Sequence, residues 1–242
     1  MGRDIAVDIA GDGVATLTLA RPERRNALSI QLREEIAAQL GQWAADPAVR
    51  VVVLTGAGSS FCAGFDLDEF AQAGLARRIR DSSRRYHLAV WAFPKPLLAA
   101  VNGPALAGGL DLCVLCDCRV ASAGAVFGHP EIKFGAPPMF TPLQWIVGAG
   151  VARELCLTGR RMDAAEALRA GLVSRVTEPG RLLDETLAMA RTMIEAPQAA
   201  LEGTKRYLTG SAGVTFEQAF AAEHDAVFDE FLAGPIGPRA AR

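Results

Sequence analysis

Hydrophobic and polar residues alternate over the first twenty positions of the chain. Residues Ile5 to Ile9 alternate, Gly11-Asp12-Gly13 can form a tight turn, and Val14 to Leu19 alternate again. Side chains of a strand point to opposite faces in turn, so this pattern predicts two strands that are half buried. We therefore expect a β-hairpin at the start of the sheet.

Helical spacing follows the hairpin. Ser29 is a good helix N-cap, and apolar residues then recur at the spacing of one helix face: Leu32, Ile36, Leu40 and Trp43. Asp46-Pro47 ends this helix, and Arg50 to Thr55 is nearly all apolar, as in a strand covered on both faces. A second helix is expected over Leu75 to Trp91, with its arginines on the solvated side. This alternation of strands and helices predicts an α/β fold.

The most informative stretch begins at Leu97. An apolar run to Val101 stops at Asn102-Gly103-Pro104, and the chain continues through Ala107-Gly108-Gly109 into a segment of helical length. This reads as strand, turn and helix. Glycines at a helix start leave backbone N–H groups open at the positive end of the helix dipole. Asp111 follows one turn later, so an anion-binding backbone and a carboxylate lie side by side.

A second glycine-bearing loop, Ala63-Gly64-Phe65-Asp66, also opens onto a helix. The preceding Gly56-Ala-Gly58 does not continue into a dinucleotide fingerprint, because its third glycine would fall at Phe61. Two such loops are what a two-donor oxyanion hole requires. Asp111 and Glu131, the latter in a loop rich in proline and glycine, are the candidate acid and base. Equally, Asp111 could be a helix N-terminal charge and Glu131 an exposed loop carboxylate.

Composition narrows the classes of protein. The chain has 242 residues, half of them hydrophobic, and a formal net charge of −2. That excludes a disordered or fibrous protein, and the interleaved charges disfavour nucleic acid and anionic membranes as partners. No apolar run reaches the length of a bilayer span, and the first residues lack an apolar signal core. We expect a cytoplasmic protein.

Five cysteines stand at positions 62, 113, 116, 118 and 156. The cluster from Cys113 to Cys118 superficially resembles a metal site, but no second pair of ligands stands at the right spacing. Buried free thiols, with no bound metal, are the better interpretation.

The last third is mainly helical. Asp163 reads as an N-cap, Gly171 as a helix C-cap, and Pro197 introduces two helical segments, Ala199 to Leu208 and Phe216 to Leu232. No flexible linker separates them from the rest. We therefore expect an α/β core over residues 1–195 and a helical region over 196–242 as an appendage of the same unit.

Five ordered motifs also carry a family resemblance. They are Arg21-Pro22…Arg25-Asn26-Ala27-Leu28, Phe61 to Leu67, Ala100 to Gly109, Phe127-Gly128-His129-Pro130-Glu131 and Leu157 to Val173. In register from about residue 5 to 176, the chain resembles the enoyl-CoA hydratase/isomerase (crotonase) family. The resemblance implies a crotonase-like (ClpP/crotonase) spiral of β-β-α units. It also implies a C-terminal helical region that packs homotrimers, often paired into hexamers, and an acyl-CoA thioester substrate.

Carried over by position, the resemblance assigns the oxyanion N–H donors to Phe65 and Gly108 and the two catalytic carboxylates to Asp111 and Glu131. It implies no cofactor, because coenzyme A is part of the substrate, and no metal. Asp66 could bind adenine or cap the following helix, and the cap is favoured slightly. The implied contacts to substrate and CoA are Arg24, Arg25, Ala63, Gly64, Asp66, Gly109 and Lys205.

The chain departs from the family pattern at Asp111, which replaces a glutamate and is one methylene shorter. After Glu131, the segment from Ala136 to Pro142 replaces the usual glycine pair and should reshape the acyl pocket, together with the helix over 75–91. Hydration of a trans-2-enoyl-CoA is the leading hypothesis. The alternatives are a Δ3,Δ2-enoyl-CoA isomerase that uses Glu131 alone, or thioester hydrolysis, decarboxylation or dehalogenation, for which His129 leaves room. A CoA-binding protein without catalysis is a further alternative.

Overall fold

The structure is a computed structural model, and it describes residues 2–139, 141–178 and 180–210 together with residues 215, 217, 218, 220, 221 and 224. The helix predicted over 216–232, and with it most of the predicted C-terminal appendage, lies largely outside the described residues.

The described residues form nine strands and eight α-helices. The strands are β1 (Ile5–Ile9), β2 (Val14–Leu19), β3 (Val51–Gly56), β4 (Leu97–Val101), β5 (Ala105–Leu106), β6 (Cys118–Ser122), β7 (Val126–Gly128), β8 (Arg161–Asp163) and β9 (Arg175–Thr177). The helices are α1 (Ile30–Ala45), α2 (Leu67–Phe70), α3 (Ala76–Trp91), α4 (Gly108–Val114), α5 (Thr141–Thr158), α6 (Ala164–Arg169), α7 (Leu182–Ile194) and α8 (Gln198–Gly210).

The larger sheet has the strand order β1-β2-β3-β4-β6-β9. Strands β1 and β2 pair antiparallel, from Ile5 opposite Leu19 to Ile9 opposite Ala15, which confirms the predicted hairpin. The prediction that β1 is half buried is wrong, because Val7 and Ile9 are exposed at the edge of the sheet. Every other pair in this sheet is parallel. The central strands β3 and β4 are buried, which explains why their sequences are nearly all apolar.

Two predicted helices are confirmed. In α1, the Ser29 hydroxyl accepts a hydrogen bond from the Leu32 N–H at 3.1 Å, and the predicted apolar positions are buried. Helix α3 packs against α1 and turns four of its five arginines fully outward, with Arg80 partly buried. Together these helices cover one face of the larger sheet with a buried apolar layer.

A second, three-stranded sheet of order β5-β7-β8 positions the candidate site. Only Ala107 separates β5 from α4, and β7 ends at Gly128, just before His129. The Ala107 N–H donates to the Gly128 carbonyl at 2.9 Å, so the start of α4 and the loop that carries Glu131 are held beside each other.

Three further predictions can be compared with the structure. Four cysteine side chains are buried and Cys118 is partly buried, as expected for core thiols. Asp163 caps α6 by accepting from the Glu166 N–H, as predicted. Through the part of the chain that the structure describes, no helix combines the length and the apolar character needed to cross a membrane. The short strands β5 and β8 were not predicted.

Candidate active site

A cavity of about 190 Å³ opens where the two glycine-bearing loops meet. Helix α4 and the loop after β7 contribute polar groups to it, whereas most of the remaining wall is apolar. Residues 136, 137 and 139 and helix α3 line it, as the sequence predicted for the pocket. The lining residues are Ala63, Phe65, Leu67, Phe70, Ser83, His87, Ala107, Gly108, Asp111, Pro130, Glu131, Phe134, Ala136, Pro137 and Met139.

Backbone hydrogen bonds fasten the two loops to each other. The N–H groups of Phe61 and Cys62 both donate to the Pro104 carbonyl at 3.1 Å, and the Leu106 N–H donates to the Cys62 carbonyl at 3.0 Å. Phe65 and Gly108, which stand 43 positions apart in the sequence, therefore line one cavity.

Glycine is required where the loops touch. Gly64 has a φ of +95°, and a Cβ added there would lie 2.8 Å from the Ala107 Cβ and 3.3 Å from the Gly108 nitrogen. Gly108 is the first residue of α4, where a helix N–H has no acceptor within the helix. Ala107 itself has a φ of +51°, a conformation that costs on the order of 1–3 kcal/mol in a residue other than glycine. Ala107 thus carries backbone strain directly before the predicted oxyanion donor.

Both predicted carboxylates reach the cavity. Asp111 lies in the first turn of α4 and is only 5% exposed. Glu131 lies in a short 3₁₀ helix, Pro130–Phe134, that begins with a proline and ends at Gly135 in the left-handed region. Its side chain is 19% exposed. The cavity therefore contains two carboxylates beside the paired loops.

His129 stands between these carboxylates and is completely buried. Its Nδ1 lies 2.9 Å from Oε1 of Glu131, and its Nε2 lies 3.9 Å from Oδ1 of Asp111. Burial alone would lower the pKa of His129. The hydrogen bond to Glu131 and the negative charges of Glu131 and Asp111 outweigh burial and raise this pKa above its ordinary value.

A polar groove of about 280 Å³ adjoins the cavity and shares Ala63, Phe65 and Leu67 with it. Four of the predicted CoA contacts line the groove, namely Arg24, Arg25, Ala63 and Asp66. Asp66 caps α2 by accepting from the Asp68 N–H, as favoured from the sequence, and it also pairs with Arg21 and Arg24. Burial raises the pKa of Asp66, but the two arginines outweigh it and hold this pKa below its ordinary value.

Three predicted contacts, Gly64, Gly109 and Lys205, do not line the cavity or the groove. A Cβ on Gly109 would lie 2.2 Å from the Cys62 carbonyl oxygen, so this glycine allows close packing of the two loops rather than contact with a ligand. Lys205 is buried, and its ammonium group donates to the Lys95 carbonyl at 2.9 Å and to Asp117 at 2.7 Å. Lys205 thus lies apart from the cavity and the groove, and its assignment to CoA binding stays a prediction.

The sequence analysis missed two polar residues of the cavity wall. Ser83 and His87 are one helical turn apart on α3, and the Nδ1 of His87 lies 2.9 Å from the Ser83 carbonyl. Burial lowers the pKa of His87 to about 3, so its ring is neutral at ordinary pH. The available signal was the i, i+4 spacing of Ser83 and His87 on the same helix face as Ile79 and Val90.

Asn26 is also buried and was noted only as part of a motif. Its side-chain amide donates to the carbonyls of Ala57 and Ser60, and its oxygen accepts from the Arg21 N–H. It thereby joins the segment that carries Arg24 and Arg25 to the loop after β3, which leads to Ala63.

The sequence and the fold are similar to those of known proteins. A model of the enoyl-CoA hydratase/isomerase family matches residues 10–233. The 2,3-dehydroadipyl-CoA hydratase of Escherichia coli K12 is 38% identical over 213 residues, which cover 87% of this chain and 84% of that protein. The short-chain-enoyl-CoA hydratase of Clostridium acetobutylicum is 34% identical over 219 residues, which cover 88% of this chain and 84% of that protein. A crystal structure of an enoyl-CoA hydratase from Bacillus anthracis superposes with a TM-score of 0.84 at 32% identity, with 96% of this chain and 92% of that chain covered.

Proposed function

The chain belongs to the enoyl-CoA hydratase/isomerase family, and we propose that it catalyses the reversible addition of water to a trans-2-enoyl-CoA thioester. One observation carries the proposal. A single cavity contains two carboxylates, Asp111 and Glu131, beside the backbone of Phe65 and Gly108. Hydration needs both kinds of group, because water must be deprotonated and the thioester oxygen must carry negative charge.

In the proposed reaction, one carboxylate takes a proton from water while the oxygen of that water forms a bond to C3 of the enoyl group. The π electrons of the C2–C3 bond shift towards the thioester oxygen, where the Phe65 and Gly108 N–H groups stabilise the developing enolate. A proton from the carboxyl groups then reaches C2, and the thioester carbonyl is restored. Asp111 and Glu131 thus position the water and exchange its proton, as acid and base.

The adjoining groove supports a CoA ester as the substrate. Arg24 and Arg25 line it and are exposed, so they can meet the phosphates of CoA. The shared wall residues let the thioester pass from the groove into the cavity. The cavity is smaller than the roughly 300–1,000 Å³ of sites that hold drug-sized ligands, which favours a short acyl chain.

We also propose that the chain forms a homotrimer or a pair of trimers. In this proposal residues 1–195 form an α/β core, and the helical region over 196–242 holds the subunits together. The proposal also includes a cytoplasmic location, where five thiols remain reduced.

The substitution Asp111→Asn tests the proposal against the isomerase alternative. The change keeps the shape of the side chain and removes its charge. General acid-base catalysis contributes about 10²–10⁴-fold, so we expect hydration of crotonyl-CoA, followed by loss of the enoyl thioester absorbance, to fall by at least about 100-fold. Isomerisation of a 3-enoyl-CoA, which the alternative assigns to Glu131 alone, should retain much of its rate.

Asp163→Asn is the matched control, because Asp163 is exposed and caps α6 away from the cavity. It should keep its stability, because asparagine is as good an N-cap as aspartate, and it should keep its hydration rate. A wild-type protein that leaves crotonyl-CoA and longer or branched enoyl-CoAs unchanged would refute the proposed hydration. A folded Asp111→Asn variant with an unchanged hydration rate would remove Asp111 from the mechanism.

A further inference from the structure

The ring of His129 differs from the ring of His87 in what faces its nitrogens, although the Nε2 atom of each ring is buried without a hydrogen-bond partner among the described residues. His87, in the wall of the same cavity, has its Nδ1 against a backbone carbonyl and stays neutral. His129 instead has its Nδ1 against the carboxylate of Glu131. Its other nitrogen faces the carboxylate of Asp111 at 3.9 Å, which is within ion-pair range but too long for a hydrogen bond.

The protonation state of the ring decides how many carboxylates it can serve. A neutral imidazole has one N–H donor, whereas an imidazolium has two, on opposite sides of the ring. The two oxygens next to the ring belong to negative groups on different elements, the 3₁₀ helix and α4. A charged ring therefore fits both neighbours at once, and a neutral ring fits only one.

Two buried atoms support this arrangement. Nε2 of His129 and Oε2 of Glu131 have no hydrogen-bond partner among the described residues. Leaving a buried polar atom unsatisfied costs about 1–3 kcal/mol. Such a cost is tolerated at functional sites, where substrate, water or a small closure of the site completes the bonds.

We propose that His129 is a positioning residue whose ring bridges Glu131 and Asp111 and holds the Glu131 carboxylate in place for proton transfer. Glu131 keeps Oε2 for the reacting water, while its Oε1 is fixed by the ring. The positive charge also reduces the repulsion between two carboxylates in one small cavity. This inference rests on the proposed hydration, because it assigns a reason for the fixed geometry of that acid-base pair.

The charged groups near the ring predict the direction of its pH dependence. Glu131 faces it from the 3₁₀ helix and Asp111 faces it from α4, and both favour the imidazolium. Lys133 runs over Gly159 on the outside, and the guanidinium group of Arg160 is paired with Glu154 and Glu166. As pH rises through the raised pKa of His129, the ring loses its second donor. Activity should therefore fall on the alkaline side.

Histidine NMR with pH profiles of kcat tests the bridge. The chain has three histidines, so a protein labelled with ¹⁵N-histidine gives few ring signals. We expect His129 to titrate above about 6.5, the ordinary histidine pKa. The pKa of His129 should be lower in Glu131→Gln than in the wild type, and it should fall by less in Asp111→Asn. The alkaline fall of wild-type kcat should have the same midpoint as the His129 titration.

His129→Gln should lower kcat by about 10–100-fold, a loss typical of a reacting group misplaced by less than about 1 Å, with KM within about threefold. Its kcat profile should lack the alkaline fall. His87→Gln is the matched control, since it removes another ring from the same cavity wall, and it should keep that fall at the same pH.

A His129 signal that titrates at or below 6.5 and does not move in Glu131→Gln would overturn the bridge. So would an alkaline fall that stays at the same pH in His129→Gln. The NMR titrations need no turnover, so they test the bridge even if the wild type hydrates no enoyl-CoA, and they also stand if His129→Gln fails to fold.

Discussion

Gly64→Ala is the sharpest test of the two-loop arrangement, because it adds one methyl group where the loops touch. The new Cβ would lie 2.8 Å from the Ala107 Cβ and 3.0 Å from the Leu106 carbonyl oxygen. Carbon atoms pack at about 3.5–4.0 Å, so the loops must separate by roughly 0.7–1.2 Å. The same Cβ would lie 3.3 Å from the Gly108 nitrogen and would crowd the N–H that we assign to the oxyanion.

The expected loss in kcat follows from these distances. Removing one oxyanion donor costs about 10²–10³-fold, and a displacement of about 1 Å can cost about 100-fold. We therefore expect kcat for crotonyl-CoA to fall by about 10²–10³-fold, whereas the groove that holds CoA should keep KM within a few fold. Because Gly64 has a φ of +95°, an alanine also costs about 1–2 kcal/mol of stability.

Gly74→Ala separates the two effects. Gly74 has a φ of +85°, but its Cβ would meet no atom within 4 Å. It should lose similar stability in urea unfolding and keep its kcat. If Gly64→Ala remains folded and hydrates crotonyl-CoA within about threefold of the wild-type rate, the assignment of Phe65 and Gly108 as the oxyanion donors is wrong.

Two further predictions concern stability. Burial lowers the pKa of His87 to about 3 in the folded protein. As the pH falls below about 6.5, the unfolded chain binds a proton at this residue but the folded protein does not. The folded state therefore loses up to about 1.4 kcal/mol of stability per pH unit until about pH 3. His87→Phe should remove that slope, measured by urea unfolding between pH 7 and 4, and an unchanged slope would contradict the assignment. Lys205→Met should destabilise the protein by about 1–3 kcal/mol, which is less than for a fully buried ion pair because Asp117 is 28% exposed. This variant should leave the KM for crotonyl-CoA unchanged. Arg24→Met, which changes a residue of the groove, should raise that KM. A raised KM in Lys205→Met would support its place in CoA binding.

Periodicity predicted those parts of the fold that have one buried face. Strand β2 and helix α1 were predicted because their alternation or helical spacing extends over several residues, and a shift of register would expose their apolar side chains. Strand β5 has two residues and β8 has three, too few to show any period. They form because the main sheet and helices bring residues 105–106, 126–128 and 161–163 together, which is a property of the whole fold.

The candidate site was predictable to the extent that it depends on backbone conformation. Glycine at 64 indicates where one loop must approach the other, and the structure places it against Leu106 and Ala107, while Gly108 lines the cavity. Side-chain roles were less predictable, because they depend on partners distant in the sequence. The charge of Lys205 is taken up by Asp117, 88 residues away, and Gly109 packs on the Cys62 carbonyl. Matching a motif identifies the position of such a residue but not the group that it contacts.

Asp111 and His129 make the same point about the acid-base half of the site. Taken alone, an aspartate at 111 holds its charge one methylene further from the substrate than a glutamate would, which argued against its role. The structure adds a buried ring whose two nitrogens face Asp111 and Glu131. A buried carboxylate is costly unless a charge or hydrogen bond compensates it, and an imidazolium between the two supplies a positive charge to both and a hydrogen bond to Glu131. The shorter side chain and the histidine before Pro130 therefore act as one unit, so the effect of lengthening Asp111 should depend on whether His129 is present. The double variant Asp111→Glu, His129→Gln should show a rate that the two single variants do not predict by multiplication, and a simple product of their effects would show that the two positions act separately.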